Sequence, residues 1–136
     1  MGILPDTGRA AERLDREAVA WITSVTASGQ PQSSVVWFLV HDDVIYIRSK
    51  PTSGKVANIQ ANSKVSFHLN SDANGFDVVT VDADAEVRDD LPPAVQDAYL
   101  AKYERKMREE LQTTPDALLA DYSKTVRVTP RRVRSY

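Results

Sequence analysis

The chain has 136 residues, 17 Lys and Arg against 19 Asp and Glu, 42% hydrophobic residues and no cysteine. That length supports one domain with a core of its own and no disulfide staples, and the composition excludes intrinsic disorder. A formal net charge of −2 argues against a general nucleic-acid binder, and no apolar run is long enough to cross a membrane.

The N-terminus has no apolar stretch of the signal-peptide kind, so the expected location is cytoplasmic. Residues 9–16 predict a short helix after the turn-like Pro5-Asp6-Thr7-Gly8. Residues 18–26, rich in β-branched and aromatic side chains, predict a strand that pairs across the turn at 27–30 with a second strand at 32–40. His41-Asp42-Asp43 turns the chain into a third strand at 44–49, which Pro51 ends because it cannot donate to a ladder. Thr52 or Ser53 caps a helix reaching about Ala61, with Val56 and Ile59 inward. Residues 64–70 alternate, with Val65, Phe67 and Leu69 against Ser66, His68 and Asn70, and 77–81 and 83–89 read as two further strands. Pro92-Pro93, after candidate caps Asp89 and Asp90, open a helix on which Val95, Tyr99, Tyr103, Met107 and Leu111 form one apolar ridge. Thr114 and Pro115 start a brief helix ending near Tyr122, and strands at 124–129 and 131–135 close the chain. The predicted architecture is mainly β, a single antiparallel β-barrel with peripheral helices spanning residues 1–136.

The sequence offers few catalytic groups. His41 and His68 have no second ligand at metal-binding spacing, so no metal site is expected, and Asp72-Ala73-Asn74-Gly75 lacks the later glutamate of a calcium loop. Asp82, Asp84 and Glu86 alternate with Ala83, Ala85 and Val87, which puts the carboxylates on a solvated strand face. Nucleophile-elbow, dinucleotide and complete phosphate-loop motifs are absent, so the chemistry is expected to come from an organic cofactor. The segment that breaks local rules is 48–58. Arg48, Lys50 and Lys55 gather with Ser49, Thr52 and Ser53 at the start of a helix, where a cation opposes the macrodipole and free N–H groups attract anions. Either these are ordinary surface lysines or they hold a phosphate. Ser33-Ser34-Val35-Val36-Trp37-Phe38, bulky on both faces, is either a core strand or the wall against a flat ligand.

Several pieces taken together carry a family resemblance: Ala20-Trp21-Ile22-Thr23-Ser24-Val25, Val36-Trp37-Phe38, Tyr46-Ile47-Arg48-Ser49, Lys55-Val56-Ala57-Asn58-Ile59, Lys64-Val65-Ser66-Phe67, Ala98-Tyr99-Leu100-Ala101-Lys102-Tyr103 and Val126-Arg127-Val128-Thr129-Pro130. In order and spacing they resemble the pyridoxamine-phosphate-oxidase-like split β-barrel superfamily, FMN-binding-like in fold. The nearer likeness is to its actinobacterial flavin/deazaflavin oxidoreductase branch, which uses coenzyme F420. The resemblance implies a cofactor phosphate held at Arg48, Ser49 and Lys55 with Asn58 nearby, and a tricyclic ring lying against Ser34, Val35, Val36 and Trp37. It implies hydride transfer between F420 and a small organic substrate in a homodimer whose sites lie at the interface. An FMN-dependent oxidase or reductase, and a non-catalytic protein that binds a flavin-like cofactor or haem, are the alternatives. The Arg/Trp substrate motif of true pyridoxamine phosphate oxidases is not evident, so pyridoxamine phosphate is not the expected substrate. No residue is assigned as general acid or base.

Two further expectations concern surfaces. Trp21, Trp37, Phe38 and the Tyr99/Tyr103 ridge supply more apolar area than a small barrel covers, which predicts a dimer. Arg127, Arg131, Arg132 and Arg134 read as an edge strand kept soluble by arginines, or as contacts to the polyglutamate tail of F420.

Overall fold

The computed structural model describes residues 2–136; Met1 lies outside them. In chain order the elements are α1 (Gly8–Arg16), β1 (Ala20–Val25), β2 (Pro31–Val36), β3 (Leu39–His41), β4 (Val44–Ser49), α2 (Gly54–Ala61), β5 (Lys64–His68), β6 (Val79–Arg88), α3 (Pro93–Arg105), a π-helical turn (Lys106–Glu110), α4 (Pro115–Asp121) and β7 (Lys124–Ser135). The strands form one antiparallel sheet in the order β2-β1-β5-β6-β7-β4-β3. Its two outermost strands, β2 and β3, are joined by Trp37 and Phe38 alone, so the sheet curls until its edges meet. The result is the expected mainly β architecture, a split barrel whose seam lies at that link.

Period-two alternation fills the barrel. Ala20 and Ile22, Ile45 and Ile47, Val65 and Phe67, Val79, Val81, Ala83 and Ala85, and Val126 and Val128 turn inward, and Phe38 meets Phe67 edge-on with ring centroids 5.2 Å apart. Ile59 of α2 and Leu14 of α1 join the same core. Beside Leu14, the nearly buried Arg13 donates to the carbonyls of Asn70 and Asp77 and pairs with Glu17 at 2.9 Å. Helix α3 packs outside the seam, where Tyr99, Tyr103, Met107 and Leu118 of α4 form a second cluster with Trp37 and Leu39.

The structure corrects several sequence expectations. The strand expected over 32–40 breaks at Trp37-Phe38, because helix α3 takes the polar groups a ladder would use. The Tyr103 hydroxyl accepts from the Phe38 N–H at 2.8 Å and lies 2.7 Å from the Ala18 carbonyl and 3.0 Å from that of Phe38. Lys102 Nζ donates to the same Phe38 carbonyl at 2.8 Å. The strands expected at 77–81 and 83–89 are the single strand β6, and those at 124–129 and 131–135 are β7. Pro130 does not split β7, because the register slips there: Asp82 faces Arg132 and Ala83 faces Pro130, with Arg131 left unmatched. Strand β7 is also interior to the sheet, not an edge. Arg127, Arg131 and Arg134 pair with Glu86, Asp84 and Asp82 of β6, so three of the four arginines are already engaged.

On α3 the apolar ridge holds through Val95, Tyr99, Tyr103 and Met107, all buried, but Leu111 is 52% exposed. The π-turn wraps its residues more loosely than an α-helix and rotates Leu111 off the ridge. Pro92, not Asp89 or Asp90, occupies the N-cap position of α3, whereas Thr114 caps α4 as expected, accepting from the Ala117 N–H at 3.2 Å. The aromatic surface expected to demand a partner is largely consumed inside the chain: Phe38, Tyr99 and Tyr103 are each 3% exposed or less. Among the described residues, no helix is long and apolar enough to cross a membrane.

Lys102 gives a pH prediction. Burial between α3 and the seam lowers its ammonium to about 8, against the weaker opposing pull of Asp15 and Glu17. The unfolded chain therefore binds more protons than the folded one above pH 8, and stability should climb with pH from about 8 until the tyrosines of the unfolded chain begin to ionise near 10. Denaturant unfolding at successive pH values should show that slope in the parent and lose it in Lys102→Met. A flat parent profile would contradict the assignment.

Candidate functional site

The seam, the end of β4, and α2, α3 and α4 enclose a cavity of about 200 Å³. Val35, Val36 and Trp37 form its sheet side, Arg48 and Lys55 its charged corner, and Tyr99, Leu118 and Tyr122 its helical wall, with Leu111 at the rim. Lys55 also belongs to a more open neighbouring groove of about 470 Å³, lined by Ser24, Gln32, Ser33, Ser34, Ser53 and Asn58. A small aromatic chamber and a hydroxyl-lined groove thus share one lysine.

Lys55 stands in the first turn of α2, after the N-cap Ser53. The Ser53 hydroxyl makes no capping bond and instead accepts from Lys55 Nζ at 3.0 Å. Burial alone pulls the Lys55 ammonium below its usual range, and no carboxylate acts to restore it. Arg48 alternates with the inward Ile47 and so leaves the barrel toward α4. Its guanidinium donates to Thr125 Oγ1 at 2.7 Å and to the Leu119 carbonyl at 3.3 Å, while its buried Nε has no partner. Burial lowers Arg48 too. Two partly buried cations at one cavity, at a helix N-terminus that already favours anions, are costly unless a negative group joins them.

Of the residues singled out by sequence, the structure brings Val35, Val36, Trp37, Arg48 and Lys55 to the cavity and Ser34, Lys55 and Asn58 to the groove. The buried Ser34 hydroxyl has no partner, and Asn58 Nδ2 bridges Ser24 Oγ at 3.1 Å and Gln32 Oε1 at 3.0 Å. Ser49 lies apart: it is 1% exposed and its hydroxyl donates to the Lys50 carbonyl at 3.2 Å. Trp37 is fixed by stacking on Tyr103, with centroids 4.3 Å apart and planes 5° from parallel.

Sequence reasoning did not place Tyr99, Leu118 or Tyr122 at the site. Their helical spacing marks a buried face, and a periodicity cannot tell a core ridge from a cavity wall. Tyr99 is 3% exposed, with its phenol pushed well above the usual range by burial first and Tyr103 second, against the opposing charge of Arg48. Tyr122 carries Lys50 Nζ over its ring at 5.4 Å. Neither histidine reaches the cavity: His68 stacks on Trp21 with centroids 6.4 Å apart, and His41 lies 3.5 Å from Asp42.

An antiparallel sheet closed at a two-residue seam, with a charged cavity beside that seam, is the architecture of a split barrel. The chain belongs to the pyridoxamine 5'-phosphate oxidase family, whose sequence profile matches residues 7–136. Among solved structures, an F420 reductase superposes with a TM-score of 0.69 at 21% identity, covering 90% of this chain and 94% of that one. A conserved hypothetical protein from Mycobacterium tuberculosis gives 0.73 at 24% identity, covering 96% and 85%. The haem-storage protein of Vibrio cholerae gives 0.73 at 16% identity, covering 99% and 95%. No curated protein sequence matches the chain.

Proposed function

We propose that the protein is an F420-dependent oxidoreductase that works as a homodimer, transferring hydride between the deazaflavin and a small organic substrate. The observation that carries this reading is the pair Arg48 and Lys55, two partly buried cations without a carboxylate partner, where the cavity meets the hydroxyl-lined groove. A cofactor phosphate supplies the missing negative charge. The unpartnered Ser34 hydroxyl and Arg48 Nε are donors left over for an oxygen-rich group.

In this reading Lys55 and the α2 N-terminus bind the phosphate, Asn58 braces the groove through Ser24 and Gln32, and Trp37, held by Tyr103, gives the ring a rigid wall. When bound, the deazaflavin supplies the hydride chemistry; the protein binds, orients and excludes water. A partner chain fits the rim. Val35, Leu111 and Tyr122, 49%, 52% and 36% exposed, are large apolar side chains that border the cavity, where a second copy would cover them.

FMN presents the same phosphate and is the second reading. A neighbour named for haem storage shares the fold, but neither histidine of this chain approaches the cavity, which weighs against haem. Parallel titrations of F420 and FMN, followed by fluorescence, should show saturable binding with F420 the tighter. Sedimentation at micromolar concentration should show a dimer. Saturable binding of neither cofactor would refute the function, and a stable monomer would refute the shared site.

A further inference from the structure

Residues 111–123 run from the π-helical turn to β7, carry α4, and give the cavity wall Leu111, Leu118 and Tyr122. Little ties this segment to the barrel. Leu118 is the buried residue of α4, packed with Tyr99, Tyr103 and Met107. Arg48 donates to the Leu119 carbonyl across a long 3.3 Å, and Lys50 Nζ lies 5.4 Å from the centre of the Tyr122 ring. The helix is otherwise self-sufficient. Thr114 Oγ1 accepts from the Ala117 N–H at 3.2 Å and its carbonyl from the Leu118 N–H at 3.0 Å, bonds that survive if the segment moves as a body.

Both ends of the segment are places where a backbone can pivot. Upstream, the Leu111 N–H closes the π-turn on the Lys106 carbonyl at 3.0 Å, and Gln112 follows at φ +52°, uncommon for a residue other than glycine. Downstream, Tyr122 leaves α4 at φ −98° and ψ 66°, and Ser123 alone separates it from β7. Element-terminal residues of this kind absorb the backbone rotation of hinged segments.

Size supplies the reason to move. The cavity holds about 200 Å³, little more than the ~150 Å³ that encloses benzene, so a fused three-ring system does not fit between Trp37 and α4 as they stand. The other walls are fixed. Tyr103 and Lys102 hold the seam at Phe38, and α2 is anchored by the buried Val56 and Ile59. Withdrawing residues 111–123 breaks the least.

We propose that residues 111–123 are a strap that lifts as a unit, pivoting about 110–112 and 122–123, to admit a multi-ring anionic ligand to the Trp37 wall. Where that ligand is the deazaflavin or FMN, the proposal rests on the function proposed above.

The test ties the strap down. The chain has no cysteine, so Lys50→Cys and Tyr122→Cys introduce its only thiols, which a short bismaleimide can link; the singly labelled variants are the controls. Three ligands are followed by rapid-mixing fluorescence: F420, FMN, and 8-anilinonaphthalene-1-sulfonate, a multi-ring anion larger than the cavity. Linking should slow the association of each by about tenfold or more. Inorganic phosphate, which reaches Lys55 through the open groove, should bind the linked protein as before by calorimetry. In the unlinked protein, hydrogen exchange of the α4 amides should be about a hundredfold faster than in β4 and β7 and insensitive to low denaturant, the mark of local opening. Uptake by the linked protein at the control rate overturns the proposal, and so does exchange of α4 only together with the strands. Loss of phosphate binding on linking also overturns it, since the segment would then belong to the phosphate site. If linking shuts out the naphthalene sulfonate while neither cofactor binds the parent, the strap stands and the oxidoreductase reading falls.

Discussion

Replacing Tyr103 by phenylalanine is expected to destabilise the protein by about 2–4 kcal/mol, a large effect for the loss of one oxygen atom. Phe38 is wholly buried, and its N–H has the Tyr103 hydroxyl as its partner at 2.8 Å. The same hydroxyl reaches the Ala18 carbonyl at 2.7 Å. The phenyl ring of the variant keeps the volume and the stack on Trp37, so no cavity opens, but a buried N–H and a carbonyl lose their partner. Each orphaned group costs roughly 1–3 kcal/mol, while the Phe38 carbonyl is spared because Lys102 still donates to it. Melting should fall by roughly 10 °C. Tyr99→Phe provides the contrast, since its hydroxyl makes no hydrogen bond among the described residues, and the apo protein should melt within a degree or two of the parent. Equal stability of the two variants would mean that the seam is held by packing alone.

The seam also shows where the sequence stopped being legible. Alternation in β1 and β5 identified inward residues because each of these strands has one core face, a pattern readable without knowing its neighbours. The break at Trp37-Phe38 is not local. It exists because Tyr103 and Lys102, more than sixty positions away, satisfy a backbone that a continuous strand would have paired. Pro130 misled for the converse reason: it ends strands in isolation, but here it coincides with a register slip set by β6.

The charged half of the site was legible and the aromatic half was not. Lys55 at the start of a helix violates a local electrostatic rule, and such violations can be read from order alone. Tyr99 violates nothing. Its apolar ridge is what any core-facing helix shows, and its place on the cavity wall appears only when α3 is set against the seam.

Lys55→Ala should weaken cofactor binding by about ten- to a hundredfold while leaving the apo protein as stable as before, or slightly more so. Without an anion, Lys55 sits in the wrong turn of α2, is partly stripped of water, and turns the Ser53 hydroxyl from the free N–H groups toward itself. Its removal should relieve a small electrostatic penalty and release Ser53 to cap the helix, a change worth about 0.5–1 kcal/mol in favour of the variant. With a phosphate present the balance reverses, since a charge-assisted contact contributes roughly 1.5–3 kcal/mol, which sets the expected loss of affinity. Opposite signs in the two measurements distinguish a binding lysine from a structural one. Titration of F420 and FMN reads the first, and thermal melting without cofactor reads the second. A variant that binds both cofactors as tightly as the parent would move the phosphate away from α2. One that binds normally but melts early would make Lys55 a structural residue despite its position.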